Sequence, residues 1–255
     1  MRQSATDWSF LNAEMNPEHY YARVAEIGYT AVEMAAPEHW ARARAAGLEL
    51  LNIVGPGIEW GLNRTDEHDR ILPLIRTAIG TAAEAGIPDL VVFSGGRRGL
   101  GDAAGIESCV RALSAVAEEA ADAAVTLLFE LLNSFDHEDY HASSSSFVFE
   151  VARRVGAPSV RVLYDVYHAA RMGEDLSSDL TANVGLIGHI HVAGMPGRGL
   201  PGPGQEIHYE AVVRAALAAG YRGYWGQEFL PGPDPLGELQ EAHSLFASYD
   251  GEVER

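Results

Sequence analysis

The 255-residue chain contains no lysine, so every one of its 18 basic side chains is an arginine. Schiff-base aldol chemistry, pyridoxal phosphate anchored through lysine, lysine-dependent enolisation and the phosphate-binding P-loop each need that amine, and all are excluded. Cysteine is nearly absent. Cys109 stands alone, so no internal disulfide forms and a reducing cytoplasm is the expected compartment. Positive charge is scarce as well, with a formal net charge of −18. Without a basic footprint to neutralise a phosphate backbone, nucleic acid is not an expected partner. No apolar run approaches the ~18 residues of a membrane span, and the opening MRQSATDWSF lacks the apolar core of a signal peptide. A soluble chain with no membrane partner is expected.

What is present is a 47% hydrophobic chain in which short β-rich runs alternate with longer amphipathic ones. The pattern predicts strands over Gln3–Trp8, Ala31–Met34, Leu48–Ile53, Leu90–Ser94, Thr126–Leu131, Val160–Asp165, Ile187–Val192 and Tyr224–Phe229. Helices are predicted over Pro17–Ile27, Glu38–Ala46, Asp66–Ala85, Gly105–Ala124, Ser145–Val155, Asp175–Val184, Tyr209–Ala219 and Leu236–Tyr249. Segments such as EIGYTAVEM, AAGLELLNI and EAGIPDLVVF put a glycine after each helix, where a left-handed C-cap is wanted, and a strand soon after. Repeated βα units imply a parallel sheet. Eight of them, with no GxGxxG after the first strand, fit an α/β fold of the (β/α)8 TIM barrel type better than an open doubly wound sheet. One domain over 1–255 is expected, because barrels of this size do not split.

Catalytic groups of such barrels come from the C-terminal ends of strands. Those ends supply Glu130 (LLFELL), Asp165 (VLYDVYH), His191 (HIHVAG) and Glu228 (YWGQEF), each on the inward phase of its strand. They lie 35, 26 and 37 residues apart, about one βα unit each. Three carboxylates converging in a partly buried mouth would repel, and a cation removes that penalty. Three carboxylates and an imidazole make a hard, mixed oxygen and nitrogen set suited to one divalent metal ion, Mn²⁺ or Mg²⁺ first, with Co²⁺ or Zn²⁺ as alternatives. The competing reading is that acids at strand ends cap the next helix or bind loop arginines.

Other polar residues divide similarly. His189, one inward step below His191, reads as a packed barrel histidine, and His137, His141 and His208 read as solvated loop residues. His168, three residues after Asp165, is expected to touch the substrate. Arg198, in GMPGRG, is a candidate clamp for a carboxylate, and Glu206, in PGQEIHY, a partner for that loop or merely the start of a helix. Arg97 and Arg98 read as a surface loop. Trp8, Phe10 and Trp60 form either an apolar wall at the mouth or part of the core.

Taken together, LFELLNSFDHEDY, VLYDVYHAARMGEDL, IGHIHVAGMPGRG, QEIHY and GYRGYWGQEF resemble the hydroxypyruvate isomerase group of the xylose isomerase-like TIM barrels, and RQSATDWSF and LVVFSGGR extend the likeness across nearly the whole chain. The resemblance implies metal binding by Glu130, Asp165, His191 and Glu228, with Glu130 and Glu228 doubling as the proton-transferring pair. It implies that His168 and Arg198 position the substrate oxygens and carboxylate. The activity implied is an aldose–ketose isomerisation of a small hydroxy-carbonyl compound, hydroxypyruvate to tartronate semialdehyde, through a cis-enediolate. A ketose 3-epimerase acting on a larger sugar is the alternative, since those enzymes also carry histidine at position 191. An endonuclease IV-like nuclease would need further histidines where LLNIVG and VVFSGG have none, and a non-catalytic sugar-binding barrel would use the acids as caps. Self-association into a homo-oligomer is left open.

Overall fold

The structure is a computed structural model that describes residues 1–250; residues 251–255, which the expected single domain includes, lie outside the described ones. The strands are β1 (Arg2–Thr6), β2 (Ala31–Glu33), β3 (Glu49–Leu50), β4 (Asn52–Val54), β5 (Asp89–Val92), β6 (Thr126–Glu130), β7 (Val160–Asp165), β8 (Ile187–Val192) and β9 (Tyr224–Gln227). They form one nine-stranded sheet in the order β3-β2-β1-β9-β8-β7-β6-β5-β4. Its two ends, β3 and β4, flank Leu51 in the chain, so the parallel sheet nearly closes and the expected (β/α)8 barrel is present.

The expected third strand is two strands because the chain changes neighbours at Leu51. Glu49 and Leu50 pair with Ala31 and Val32 of β2, whereas Asn52 to Val54 pair with β5. The expected helix over Gly105–Ala124 is likewise two, Asp102–Ser114 and Ala117–Asp122. Among the described residues no helix is long and apolar enough to cross a membrane.

Contacts divide the chain into two compact units. The first comprises Met1–Leu51, Asp175–Val184 and the residues from Ile190 onward. Its helix Pro17–Ile27 starts because the Asn16 side chain accepts the amide of His19 and Pro17 takes the first turn, and it stops at Gly28, whose φ of +118° suits glycine. Phe246 of the helix Pro235–Asp250 is fully buried among the rings of Tyr209, Trp225 and Tyr249. Phe10, in a short helix Asp7–Phe10 that directly follows β1, packs edge-on against Phe229 at 4.8 Å. It is core rather than wall.

The second unit comprises Asn52–Glu174 and Gly185–His189. Ile71, Ile75 and Ile79, spaced four apart on the helix His68–Ala85, make its buried stripe. The runs LVV of β5 and LLF of β6 are buried throughout, as strands covered on both faces require. In the run SSSS at 143–146, the Ser144 hydroxyl caps the helix Ser145–Val155 by accepting the amide of Phe147.

Not every acid at a strand end faces chemistry. Asp7, just past β1, is buried and accepts the Tyr21 hydroxyl. Burial pushes its carboxyl up to about 7 from an ordinary 3.8, against the pull of the Tyr21 hydrogen bond. Between these values the native chain binds a proton that the unfolded chain has lost, so stability falls as pH rises from about 4 to 7 and is flat above. Asp7→Asn is expected to remove that slope, gaining on the order of 4 kcal/mol over wild type at pH 8 and nothing at pH 3. Urea unfolding of both proteins across this range measures it, and parallel curves would contradict it.

Candidate active site

In the second unit, β6 and β7 run side by side with Glu130 opposite Leu163, and both Glu130 and Asp165 are buried. Asp165 ends β7 and caps the short helix Val166–Arg171, its Oδ1 accepting the His168 amide at 2.9 Å. The capping reading is therefore true of one oxygen. The other, Oδ2, lies 3.8 Å from Nε2 of the His168 ring. That helix places His168, also fully buried, beside the strand end.

Beyond β6 the chain turns on Asn133, and Asp136 gathers donors. Asn133 Nδ2 and the Tyr167 hydroxyl reach its Oδ2 at 2.9 and 2.7 Å. Burial raises the Asp136 carboxyl, but these two hydrogen bonds and the charge of Arg171 outweigh it and hold the group below the usual carboxylate range. The Tyr140 hydroxyl donates to the Glu130 carbonyl at 3.0 Å, tying the returning loop to the strand end. The same loop buries His141, which was expected in solvent: its amide donates to the Gly95 carbonyl, and its ring meets Asn63 and Asp102. Burial, with the charge of Arg97, lowers the His141 pKa against the pull of Asp102. His137 is half-buried, with its ring 5.4 Å from that of His168, whereas His208 is exposed as expected.

In the first unit, β8 and β9 pair so that His191 stands opposite Gly226, and the Glu228 amide continues the ladder to the Val192 carbonyl at 3.0 Å. His191 is fully buried between two carboxylates. Its Nε2 is 2.9 Å from Glu33 Oε2 and its Nδ1 is 3.1 Å from Glu228 Oε2. Glu33, the last residue of β2, is itself held by the Ser4 hydroxyl at 2.6 Å. Glu228 accepts from the indole of Trp8 at 3.0 Å on Oε1 and from Arg198 at 2.6 Å on Oε2. Arg198 adopts a left-handed backbone, φ +56°, and its guanidinium sits 5.3 Å from the Trp8 ring centre. Trp8 is thus half-exposed wall and hydrogen-bond donor at once, while Trp60 lies under Arg70. His189 is buried in β8, as expected of a packed ring, and Glu206 is exposed.

An imidazole between two carboxylates, with Arg198 on the Glu228 oxygen that faces Nδ1, is a donor set whose chemistry fits a divalent cation. Glu33 is the functional candidate that sequence reasoning missed. Asn133 and Asp136 are the others.

A nearly closed parallel barrel with buried acids and an imidazole at its strand ends defines a class, and a family model described as xylose isomerase-like TIM barrel matches residues 21–248. The chain belongs to that family. It is 33% identical over 107 residues to a hydroxypyruvate isomerase of Escherichia coli (strain K12), a stretch that covers 42% of this chain and 41% of that one. Across this relative, a putative hydroxypyruvate isomerase of Streptomyces coelicolor and a 2-oxo-tetronate isomerase of Cupriavidus necator, the matched stretches span 41 to 62% of the relative's length. Among solved structures, an AP endonuclease, family 2, from Brucella melitensis superposes with a TM-score of 0.84 at 24% identity, covering 98% of this chain and 99% of its own. An L-ribulose 3-epimerase superposes with a TM-score of 0.84 at 18% identity, covering 100% and 96%. Two proteins named for such different activities share this fold, so the activity is argued from the site.

Proposed function

We propose that this chain is a metal-dependent isomerase that moves the carbonyl of a small hydroxy-carbonyl acid, as in hydroxypyruvate to tartronate semialdehyde. Glu130, Asp165, His191 and Glu228 would hold one divalent ion, Mn²⁺ or Mg²⁺ by their donor chemistry. All four are buried. They stand at or just beyond the ends of strands consecutive in the sheet order, β6, β7, β8 and β9. A divalent ion, when bound, polarises a carbonyl and stabilises negative charge on oxygen.

The observation that carries the reading is Glu228, a buried carboxylate that meets an imidazole, a guanidinium and an indole N–H at once. Those neighbours fix the position of the carboxylate, which suits a group that would take a proton from the hydroxyl-bearing carbon. Glu130 is the partner that returns a proton to the neighbouring carbon, so the substrate passes through a cis-enediolate. Arg198, which donates to Glu228 at 2.6 Å, would orient a substrate carboxylate through its planar guanidinium. The likeness to the E. coli hydroxypyruvate isomerase supports this choice of substrate.

The test is a panel of hydroxypyruvate, short 2-oxo acids and ketoses incubated with metal-loaded protein, with products identified by NMR. Carbonyl migration in the small acids is expected. Inversion at C3 of a ketose without any migration would replace this reading with an epimerase.

A further inference from the structure

We infer that Asn133 is a positioning residue that fixes the His168 ring with its one hydrogen on Nε2, so that His168 meets the substrate as a hydrogen-bond donor to oxygen and not as a proton acceptor. This rests on the isomerase reading for the identity of the reaction, and on hydrogen-bond geometry for the state of the ring.

The geometry starts from the Asn133 side chain. Its Oδ1 accepts the backbone amides of Phe135 and Asp136 at 2.9 and 2.8 Å, the turn an asparagine makes with the residues that follow it. A flipped amide would press its own hydrogens against two N–H groups, so the orientation is settled. Nδ2 is therefore a donor on both sides. One hydrogen goes to Asp136 Oδ2 at 2.9 Å, whose place the Tyr167 hydroxyl secures from the other side. The second meets Nδ1 of His168 at 2.6 Å.

The Asn133 backbone N–H points at the same Nδ1 from 3.1 Å. Two donors converge on one ring nitrogen, and a nitrogen that receives them carries no hydrogen. The ring's hydrogen then sits on Nε2. Rotation about the ring axis is blocked, since His168 is fully buried with the rings of Tyr167 and His137 at 5.2 and 5.4 Å. Asp165 Oδ2 stands 3.8 Å from Nε2, and whatever else meets that nitrogen must accept. For a reacting hydroxy-carbonyl compound that is the oxygen on which negative charge grows, where a fixed donor acts as an electrophilic catalyst.

Asn133→Asp tests this with almost no change of shape: Oδ1 keeps both backbone contacts, while an acceptor replaces the donor that faces Nδ1 on one side and Asp136 Oδ2 on the other. Histidine ring ¹⁵N spectra, assigned with His168→Gln, are expected to show His168 protonated on Nε2 alone in wild type and to lose that single-tautomer pattern in Asn133→Asp, where a carboxylate oxygen and the backbone N–H of residue 133 compete for Nδ1. The variant is expected to lose about 10²-fold in kcat with KM little changed. In a His168→Gln background, whose amide donates whatever stands at 133, the same change is expected to cost almost nothing further. A wild-type ring protonated on Nδ1 overturns the inference by itself, even should Asn133→Asp fail to fold. An equal kcat loss in both backgrounds overturns it too. The spectra need no substrate, so an error in the assigned reaction leaves them unchanged, whereas an error in the ring state shows in them directly.

Discussion

Glu228→Gln is expected to lower the rate of carbonyl migration by about 10²–10⁴-fold, the range spanned by a positioned proton-transfer group. The substitution keeps the shape of the side chain and an oxygen that can accept the Trp8 indole. It takes away the charge that Arg198 and His191 meet. The melting temperature is expected to stay within a few degrees of wild type, because no buried charge is left without company: Arg198 retains 13% side-chain exposure and can turn to water. Stopped-assay kinetics on metal-loaded protein make the comparison. Turnover near that of wild type would remove Glu228 from the chemistry and leave it a partner of the loop arginine.

The second large effect falls on a residue outside the proposed ligand set. Glu33→Gln is expected to weaken divalent-metal affinity by about 10–100-fold, the usual penalty for disturbing the carboxylate behind a ligating histidine. Glu33 Oε2 receives the Nε2 hydrogen of His191, which orients the ring and makes Nδ1 the electron-rich end. A neutral amide accepts that hydrogen more weakly and loses the charge–dipole attraction that raises ring basicity. The Ser4 hydroxyl, which donates to the other oxygen, holds either side chain in place, so the fold tolerates the exchange. Competition titration against a chromophoric chelator reads affinity without any turnover. Equal affinity in the two proteins would show that Glu33 merely neutralises a buried histidine.

The barrel was legible because its grammar is local. Glycine caps, β-branched runs and amphipathic stretches each act over a few residues, and strand ends follow from them; Glu130, Asp165, His191 and Glu228 were all found by asking what stands at or just past those ends. The same question missed Glu33 through one residue. The run AVEM reads as a strand ending on Met34, but Met34 has a φ of +54° and breaks the extended run, so the last strand residue is Glu33. Asn133 and Asp136 were visible as an asparagine turn after β6, yet nothing local says that a turn will face a histidine 35 positions away. His141 failed for the opposite reason. A histidine among HEDYHASSSS looks solvated, and only the return of that loop onto Gly95 and Asn63, a long-range event, buries it. Asp7 marks the limit of the strand-end rule, for it obeys the pattern and serves a tyrosine.

The central claim is that this chain enolises a small hydroxy-carbonyl compound with a metal bound among its strand-end acids. Solvent deuterium uptake in D₂O, followed by NMR with hydroxypyruvate as substrate, tests it most directly. The protein is stripped with chelator, assayed, then reloaded with Mn²⁺, Mg²⁺ or Zn²⁺ and assayed again. The account expects exchange at the carbon beside the carbonyl that vanishes on stripping and returns with metal. Exchange that persists in the stripped protein, or none in the reloaded protein across the whole panel of 2-oxo acids and ketoses, would contradict it.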